Sequence, residues 1–231
     1  MKRRIILILI SLAGLALIWA GTGGYVKDGL FYGQMETEAE KAEEIDFEAL
    51  RRINPDIAAW IRLKDSKINY PVVRGEDNYK YLSTRFDGAA SDAGCLFIDA
   101  FTENPFLDFL TIIYGHHMRD GSMFAGLDKF SDPVYGKKHP RFEIITPEEK
   151  YNMEVIGYFP VKADSFLYDL NVSAEEERKA YIEKLHASAK YELADVTEED
   201  RLVLLSTCAY TAKNARTVVM GKLSKEKAGR P

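Results

Sequence analysis

The sequence has few of the residues from which disulfide frameworks and metal sites are built. Its 231 residues include two cysteines, Cys95 and Cys208, and only four histidines. Two cysteines are too few for a disulfide framework, and neither a CxxC nor an HxxxH spacing occurs. We therefore predict two free thiols, no metal site and no cofactor.

The chain also lacks an excess of basic residues. Lys and Arg number 31 against 36 Asp and Glu, which gives a formal charge of −5. Proteins that bind nucleic acids normally carry a concentrated basic surface, because the phosphate backbone is anionic. The composition therefore excludes nucleic acid as an expected partner. Apolar residues make up 46% of the chain, enough for one sizeable domain plus an appendage.

One long apolar run stands at the amino terminus. Residues 5–26 carry no charged side chain and are long enough to span a bilayer. Three basic residues in 1–4 precede the run, and only Lys27 closely follows it, which predicts a single-pass signal-anchor with residues 1–4 in the cytoplasm. A cleaved signal peptide is the alternative, because small residues near Ala20 could form a processing site. In both cases the rest of the chain is exported.

Residues 27–45 form the approach to the globular region. From Gln34 onward the segment is acidic and alanine-rich, with few apolar positions to bury, and it predicts a solvated helical spacer. A short amphipathic helix is predicted at about 47–53. Asn54-Pro55 should end it, because the residue before a proline avoids the helical region.

Short β-rich runs separated by turn residues make up most of the remaining sequence. Eight such runs without a fixed repeat predict a mainly β fold with a closed β-barrel, and they argue against a propeller or a solenoid. The runs are residues 59–63, 70–73, 94–98, 110–114, 141–145, 151–158, 202–207 and 217–220.

Two helices are predicted among these strands. The longer one has the pattern of a capping box at Ser173 to Glu176, followed by an apolar face of Tyr181, Ile182 and Leu185. A shorter helix is predicted at 122–130.

Two of the four histidines stand where a strand ends. An apolar run into Gly115, a residue that allows an abrupt turn, delivers His116 and His117 to a polar loop, whereas His139 and His186 fit solvated surface positions. A strand end is a rigid place from which to orient an imidazole. The alternative for the pair is an ordinary surface loop, and this segment alone does not decide between them.

Cys208 also follows an apolar run, and its structural alternative is a buried core cysteine. The segment 216–220 has the pattern of an antiparallel neighbour, and such a hairpin would place Arg216 near Cys208. A fixed positive charge favours a thiolate, and a guanidinium can donate to the oxyanion that forms when a carbonyl is attacked. With His116 to protonate a departing amine, the three residues form a set for acyl transfer.

Cys95 has different surroundings. It lies in the run Gly94-Cys95-Leu96-Phe97, which contains no charged residue. We therefore predict that Cys95 belongs to the core.

Together these segments resemble the sortases, specifically class B. The resemblance rests on Leu205-Ser206-Thr207-Cys208, on Arg216 downstream and on Tyr114-Gly115-His116-His117-Met118. It extends over essentially the whole chain through residues 53–56, 60–61, 68–73 and 120–124 and through the long helix before the cysteine strand.

The resemblance implies a fold, an activity and partners. Sortases are transpeptidases on the outer face of Gram-positive membranes, with an eight-stranded barrel to which class B adds amino-terminal helices and a helix between strands six and seven. They cleave a sorting signal of a secreted surface protein after its threonine and hold the acyl group as a thioester. They then pass it to an amine of a peptidoglycan precursor or of a pilin lysine. Residues 46–231 would form this catalytic domain.

The resemblance also implies roles for individual residues. Cys208 would be the nucleophile, His116 the acid and base, and Arg216 the residue that orients the substrate and stabilises the oxyanion. His116 is preferred over His117 because the family's histidine directly follows the glycine. Some relatives carry an acidic residue where this chain has Ala209, which leaves the preferred sorting signal open. The implied groove residues are Asn78, Leu82, Phe166, Leu167, Ser206 and Thr207.

Two other functions remain possible from the sequence. A cysteine hydrolase would form the same thioester and release it to water. A non-catalytic, membrane-tethered adhesion or assembly module would not need the Cys208 thiol at all.

Overall fold

A computed structural model of the chain describes residues 24–41, 44–208 and 214–226. The α-helices in these residues are α1 (Gly24–Lys41), α2 (Phe47–Ile53), α3 (Pro133–Lys138) and α4 (Glu175–Ser188). Short 3₁₀ helices cover Lys80–Leu82, Phe124–Ser131 and Phe166–Tyr168. The strands are β1 (Ile57–Arg62), β2 (Asn69–Val73), β3 (Leu96–Ile98), β4 (Leu110–Tyr114), β5 (Arg141–Ile145), β6 (Lys150–Lys162), β7 (Tyr191–Glu192), β8 (Leu202–Cys208) and β9 (Ala215–Lys225).

Eight of the strands close into a barrel. Their order is β5-β1-β2-β3-β4-β8-β9-β6, and β6 pairs again with β5, so the sheet returns to its first strand. The predicted mainly β barrel of eight strands is therefore confirmed, and each of the eight predicted runs overlaps one barrel strand. The additional strand β7 pairs with β6 outside the closed ring. It was not predicted, because two residues are too short to carry an alternating pattern.

The barrel has one core inside and a second core on its outer face. Val203 and Leu205 of β8 belong to the inner core, whereas Leu202 and Leu204 belong to the outer one. Successive strand residues point to opposite faces, so β8 is apolar at every one of these positions because both of its faces are buried. The outer core is covered by the apolar face of α4, namely Tyr181, Ile182 and Leu185.

Helix α4 lies between β6 and β8, the sixth and seventh strands of the barrel. Its start differs by one residue from the predicted capping box. The helix begins at Glu175, and the carboxylate that accepts the free amides belongs to Glu177 rather than Glu176, with both the Ser173 and Ala174 N–H groups at 2.9 Å. The reason is that the capping carboxylate stands three residues after the N-cap, which is Ala174 and not Ser173.

Helix α1 corrects the prediction of a fully solvated spacer. Phe31, Tyr32, Met35 and Ala39 are buried in the same core cluster as the barrel interior. Their spacing places them along one side of a helix, which the acidic residues between them obscured in the sequence. The Tyr32 hydroxyl donates to the carbonyl of Gly94 and so ties the helix to the segment before β3.

The shorter predicted helices are also present. Helix α2 covers Phe47–Ile53 and is capped by Asp46, whose side chain accepts from the Ala49 N–H at 2.9 Å. The helix predicted at 122–130 is the 3₁₀ helix Phe124–Ser131. Phe124, Leu127 and Phe130 of this helix are buried in the inner core, so the helix packs against the barrel interior.

The predicted signal-anchor at 5–26 lies outside the described residues, apart from its last three positions, where α1 begins. In the part of the chain that the structure describes, no helix is both long enough and apolar enough to cross a membrane.

A buried cluster of charged groups holds α1 against the segment between β2 and β3. Arg85 donates to both carboxylate oxygens of Asp87, at 2.9 and 2.8 Å, and lies 3.3 Å from a carboxylate oxygen of Asp28. Ser91 donates to the other Asp28 oxygen at 2.7 Å. Burial alone would raise the pKa of Asp87, but the hydrogen bonds from Arg85 and from the Ala89 N–H lower that pKa below its usual value.

We expect Asp87→Asn to weaken the fold at neutral pH and to have little effect in acid. Because the folded-state pKa of Asp87 is lowered, its contribution is present above the unfolded-state pKa of about 3.9 and is lost as the pH falls through the folded-state value. Hydrogen bonds to a charged group contribute about 1.5–3 kcal/mol at pH 7. Urea unfolding of the two proteins at a series of pH values measures the difference.

Asp92→Asn is the matched control, because Asp92 is an exposed carboxylate on the same segment. Its urea midpoint should follow that of the wild type at each pH. An Asp87→Asn deficit that stays constant from neutral to acid pH would contradict the role assigned to the charge.

Candidate active site

Two parallel strands bring the predicted histidine and cysteine to the same edge of the barrel. Strands β4 and β8 pair in parallel with Tyr114 opposite Ser206, and the Gly115 N–H donates to the Ser206 carbonyl at 3.0 Å. His116 and Cys208 each follow this matched pair by two residues. The carboxyl ends of parallel strands meet at one edge, so the 92 positions that separate the two residues in sequence do not separate them in the fold.

The predicted hairpin between the cysteine strand and the arginine strand is present. Strands β8 and β9 pair antiparallel, and Cys208 stands directly opposite Arg216. The Cα atoms of residues opposed in this way are about 4.5–5.5 Å apart. The Arg216 guanidinium is partly exposed and donates to the Ala215 carbonyl at 3.1 Å.

His116 is held by a backbone carbonyl from the other side of the site. Its Nε2 lies 2.7 Å from the carbonyl oxygen of Leu82, which belongs to the segment between β2 and β3 that contacts α1. A carbonyl can only accept, so Nε2 carries the proton of this bond and the neutral ring has its lone pair on Nδ1. The half-exposed imidazole is thus oriented and still accessible to a substrate. Leu82, predicted as a groove residue, contributes this carbonyl, and its side chain is exposed.

Gly115 is required here for its lack of a side chain. Its backbone is not in the left-handed region, so the abrupt turn predicted at this position does not depend on a positive φ. A Cβ at residue 115 would instead lie 2.7 Å from Cδ2 of Phe124 and closer still to Cδ2 of Leu96. The end of β4 can therefore approach the core only because residue 115 is glycine.

His117 makes a different set of contacts from His116. Its Nε2 lies 2.6 Å from Oδ2 of Asp128, on the 3₁₀ helix Phe124–Ser131. The other oxygen of Asp128 accepts a hydrogen bond from the Thr217 hydroxyl at 2.7 Å. Asp128 was not predicted, because no local pattern indicates that this helix meets β9.

Two stacked tyrosines form a wall beside the strand ends. The rings of Tyr114 and Tyr168 are 6.3 Å apart between centroids, with planes within 15°, and the Tyr168 hydroxyl shares a hydrogen bond of 2.8 Å with Ser206. Tyr114 donates to Asp99 at 2.9 Å. Burial and then the Asp99 charge raise the pKa of Tyr114 well above its usual value, so its phenol stays a neutral donor.

Asn78, a predicted groove residue, completes this wall. Its side-chain amide donates to the same Asp99 oxygen at 3.1 Å, and its carbonyl accepts from the Ala100 N–H at 2.8 Å. The structure thus connects two predicted groove residues, Asn78 and Ser206, through Asp99, Tyr114 and Tyr168. Sequence reasoning missed these three, and no motif contains them together.

Two other predicted groove residues are buried, as Ser206 is, but point away from it. Leu167 is fully buried in the outer core, because the single turn of 3₁₀ helix that contains it directs Leu167 inward and places Tyr168 over Ser206. Thr207 is also buried, on the face of β8 opposite to Ser206, since adjacent strand residues alternate. Phe166 is half-buried and packs edge-to-face on Tyr181, at 5.5 Å between ring centroids.

A cavity of about 980 Å³ extends from this wall along the outer face of the barrel. Asp99 and Tyr168 line it beside the site, and Leu110 and Arg201 line it near the start of β4 and β8. Among the described residues that line this cavity, only Leu110 belongs to β4, none belongs to β8, and none is a predicted groove residue.

The other cysteine is a core residue, as predicted. Cys95 is buried, and its thiol lies 3.7 Å from the Pro71 carbonyl oxygen. Burial raises the pKa of this thiol to about 12, which keeps it protonated and unreactive. Among residues 24–41, 44–208 and 214–226, no three His, Cys, Asp or Glu side chains are grouped so that they could hold a metal ion.

Comparison with known proteins places this geometry in one family. A family model for the sortase domain matches residues 61–224. The sortase B of Listeria monocytogenes is 33% identical over 178 residues, which cover 75% of this chain and 72% of that protein. The structure of the Staphylococcus aureus sortase B–substrate complex has a TM-score of 0.74 at 28% identity, covering 85% of this chain and 92% of that one. A Bacillus anthracis crystal structure described as similar to sortase B has a TM-score of 0.79 at 31% identity, covering 90% and 100%.

We expect Gly115→Ala to destabilise the fold by about 1–3 kcal/mol, because the added methyl group overpacks against Leu96 and Phe124. The strand end must then shift, and His116 moves with it. Urea unfolding measures the first effect, and the NMR signals of the His116 ring report the second.

Gly126→Ala is the control, because a Cβ there would meet Cδ1 of Ile68 at an ordinary 3.5 Å. It should change the stability by no more than about 0.5 kcal/mol. Equal effects of the two substitutions would show that the close approach at Gly115 has no special role.

Proposed function

This chain belongs to the sortase family and is a cysteine transpeptidase of the sortase B type, and we propose that it cleaves the carboxyl-terminal sorting signal of secreted proteins after threonine. The acyl group would be held as a thioester and transferred to an amine of the cell wall, that of a peptidoglycan precursor. A pilin lysine is the alternative acceptor, and water would make the enzyme an endopeptidase.

The observation that supports this proposal is the register of three strands. The parallel pair β4 and β8 brings His116 and Cys208 to the same edge, and the antiparallel pair β8 and β9 has Arg216 opposite Cys208. A nucleophile, an acid and base, and a fixed cation are the groups that acyl transfer through a thioester needs.

We assign one role to each residue in the first half of the reaction. The Cys208 thiolate attacks the threonine carbonyl carbon, and Arg216 donates to the oxyanion that forms. The C–S bond then replaces the C–N bond. The departing amine takes a proton from protonated His116, which becomes neutral.

The second half reverses these roles with a new amine. Neutral His116 takes a proton from the incoming amine as its nitrogen attacks the thioester carbon. The C–S bond breaks, and Cys208 leaves as the thiolate with which the cycle began. No proton or electron needs an external source.

The proposed binding groove for the sorting signal lies at the wall of Tyr114 and Tyr168, where Tyr168 and Asp99 also line the cavity. Asn78 and Ser206 are held at this wall by hydrogen bonds to Asp99 and Tyr168. Leu82 and Phe166 would be side-chain contacts, because both are at least partly exposed. The solved complex of Staphylococcus aureus sortase B with a substrate supports a binding site of this kind in the shared fold.

We also propose that the enzyme is anchored in the cell membrane. Residues 5–26 would be the single-pass anchor, with residues 1–4 in the cytoplasm and the catalytic domain, 46–231, outside the cell. Within the linking residues 27–45, α1 packs on the barrel. This contact would hold the domain close to its anchor.

A peptide library supplied together with an amine tests the activity. We expect cleavage of a preferred pentapeptide after threonine, faster turnover when a glycine oligomer or hydroxylamine is added, and an amide product in the mass spectrum. The Cys208→Ala variant should show neither cleavage nor transfer. Turnover that amines leave unchanged, with only the carboxylic acid as product, would indicate a hydrolase. Normal anchoring of a client protein by Cys208→Ala would indicate a non-catalytic module.

Arg216→Lys tests the arginine separately from its charge. A lysine is a point charge and cannot reproduce the fork of guanidinium donors, so we expect kcat/KM to fall by about 10²–10³-fold. Arg62→Lys is the control, because Arg62 pairs with Glu143 of β5, and β1 is paired with β2 and β5 rather than with β4, β8 or β9. Near-normal turnover by Arg216→Lys would refute the role in oxyanion stabilisation.

A further inference from the structure

We propose that Asp128 is a positioning residue that fixes His116 and Arg216 relative to each other. It would do so by binding the residue that follows each of them in the chain, namely His117 and Thr217. This inference rests on the proposed function, since it concerns the alignment of the catalytic groups assigned above.

The two oxygens of one carboxylate make the connection. Oδ2 of Asp128 accepts from His117 Nε2 at 2.6 Å, and Oδ1 accepts from the Thr217 hydroxyl at 2.7 Å. Both distances are at the short end for hydrogen bonds, as expected for a charged acceptor. Asp128 therefore joins the end of β4 to the start of β9 without using Cys208 or its strand.

The Asp128 contact with His117 also restrains His116, because backbone hydrogen bonds already hold the segment that contains both residues. The His116 carbonyl accepts from the Phe124 N–H at 3.0 Å, and His117 forms a bridge pair with Met123. These contacts join the His116-His117 segment to the start of the same 3₁₀ helix that carries Asp128. The hydrogen bond between Asp128 and His117 adds a second connection between this segment and the helix, through a side chain rather than the backbone.

Holding Thr217 restrains Arg216 in a similar way. Thr217 is buried and stands opposite Thr207 in the β8–β9 ladder, one position along from the pair of Cys208 and Arg216. Adjacent strand residues face opposite sides of the sheet, so Asp128 approaches β9 from the side that Arg216 does not use. We call the contacts of Asp128 with His117 and Thr217 the clamp. The clamp can therefore fix β9 and leave the face of Arg216 open to substrate.

The element that carries Asp128 is itself rigid. Leu127, directly before it, and Phe124 and Phe130 in the same helix have no exposed surface and belong to the inner core. Positioning residues are effective when the element that supports them is fixed by packing. Displacing the helix that carries Asp128 would require these three side chains to leave the inner core.

A purely structural ion pair would behave differently. Exposed fractions of 15% for the His117 side chain and 49% for that of Asp128 place the contact at the surface, where such pairs contribute little to stability. If the contact aligns the catalytic groups, its removal should lower the rate of the chemical step much more than the stability. This difference is the basis of the test.

We expect Asp128→Ala to lower kcat by about 10–100-fold with little change in KM, since small misplacements of reacting groups have effects of this size. The urea midpoint should stay close to that of the wild type. Thr217→Val, which loses the hydroxyl, should share the loss in kcat, and Thr217→Ser, which retains it, should restore the rate. Because both substitutions break one clamp, the Asp128→Ala, Thr217→Val double variant should be little slower than Asp128→Ala alone.

Glu192→Gln is the matched control. Glu192 also accepts from a histidine at 2.6 Å, in this case His186, but that contact lies on α4 and β7 and touches none of the assigned groups. Its kcat should equal that of the wild type. Wild-type kcat in Asp128→Ala, equal rates for the valine and serine variants at 217, or a loss that simply follows the urea midpoint would each overturn the clamp.

The rate of Cys208 alkylation by iodoacetamide separates this inference from the proposed function. It needs no peptide, and buried Cys95 does not compete. We expect slower alkylation in Asp128→Ala and Thr217→Val than in the wild type and Glu192→Gln, because the thiolate depends on its aligned neighbours. A wild-type enzyme that cleaves no peptide would refute the proposed function alone. An alkylation rate unchanged in Asp128→Ala would refute the clamp alone.

Discussion

The parallel pairing of β4 with β8 is the constraint on which the candidate site depends. These strands are joined by a connection of nearly 90 residues, yet their register places Tyr114 opposite Ser206 and brings His116 and Cys208 to the same edge. In an antiparallel pair the two carboxyl ends would lie at opposite edges. β9 then adds Arg216 from the far side of β8, so β8 is the neighbour of both strands that bring the other two residues of the candidate site.

This pairing is stable because β8 is buried on both faces. Its inward residues complete the barrel interior, and its outward residues pack beneath α4. The insertion of α4 between β6 and β8 thus supports the site, since α4 covers the outer face of the strand that ends at Cys208. Because both faces of β8 are buried, the hydrophobic run before Cys208 shows no alternation of polar and apolar residues.

Around the open edge, the groups that could react are oriented mainly by contacts with backbone or with residues outside any motif. The Leu82 carbonyl sets the tautomer of His116, and that carbonyl stands on a segment braced by Arg85 and α1. Tyr168 covers Ser206, and Asp99 connects Tyr114 to Asn78. Much of the chain therefore serves to hold a few side chains in place, which is typical of sites that depend on preorganisation.

From the sequence alone it was possible to predict the eight barrel strands, helices α2 and α4, the core position of Cys95 and the segments that meet at the site. Each of these depends on local periodicity, on turn residues or on a short motif. The burial of α1, the inward position of Leu167 and the contacts of Asp128 could not be predicted in this way. They follow from which elements pack together: a barrel wall beside α1 makes Met35 a core residue, and the meeting of a 3₁₀ helix with β9 gives Asp128 two partners far apart in the chain. Local chemistry is encoded over a few residues, whereas these contacts depend on pairings over long sequence distances that only the folded chain brings about.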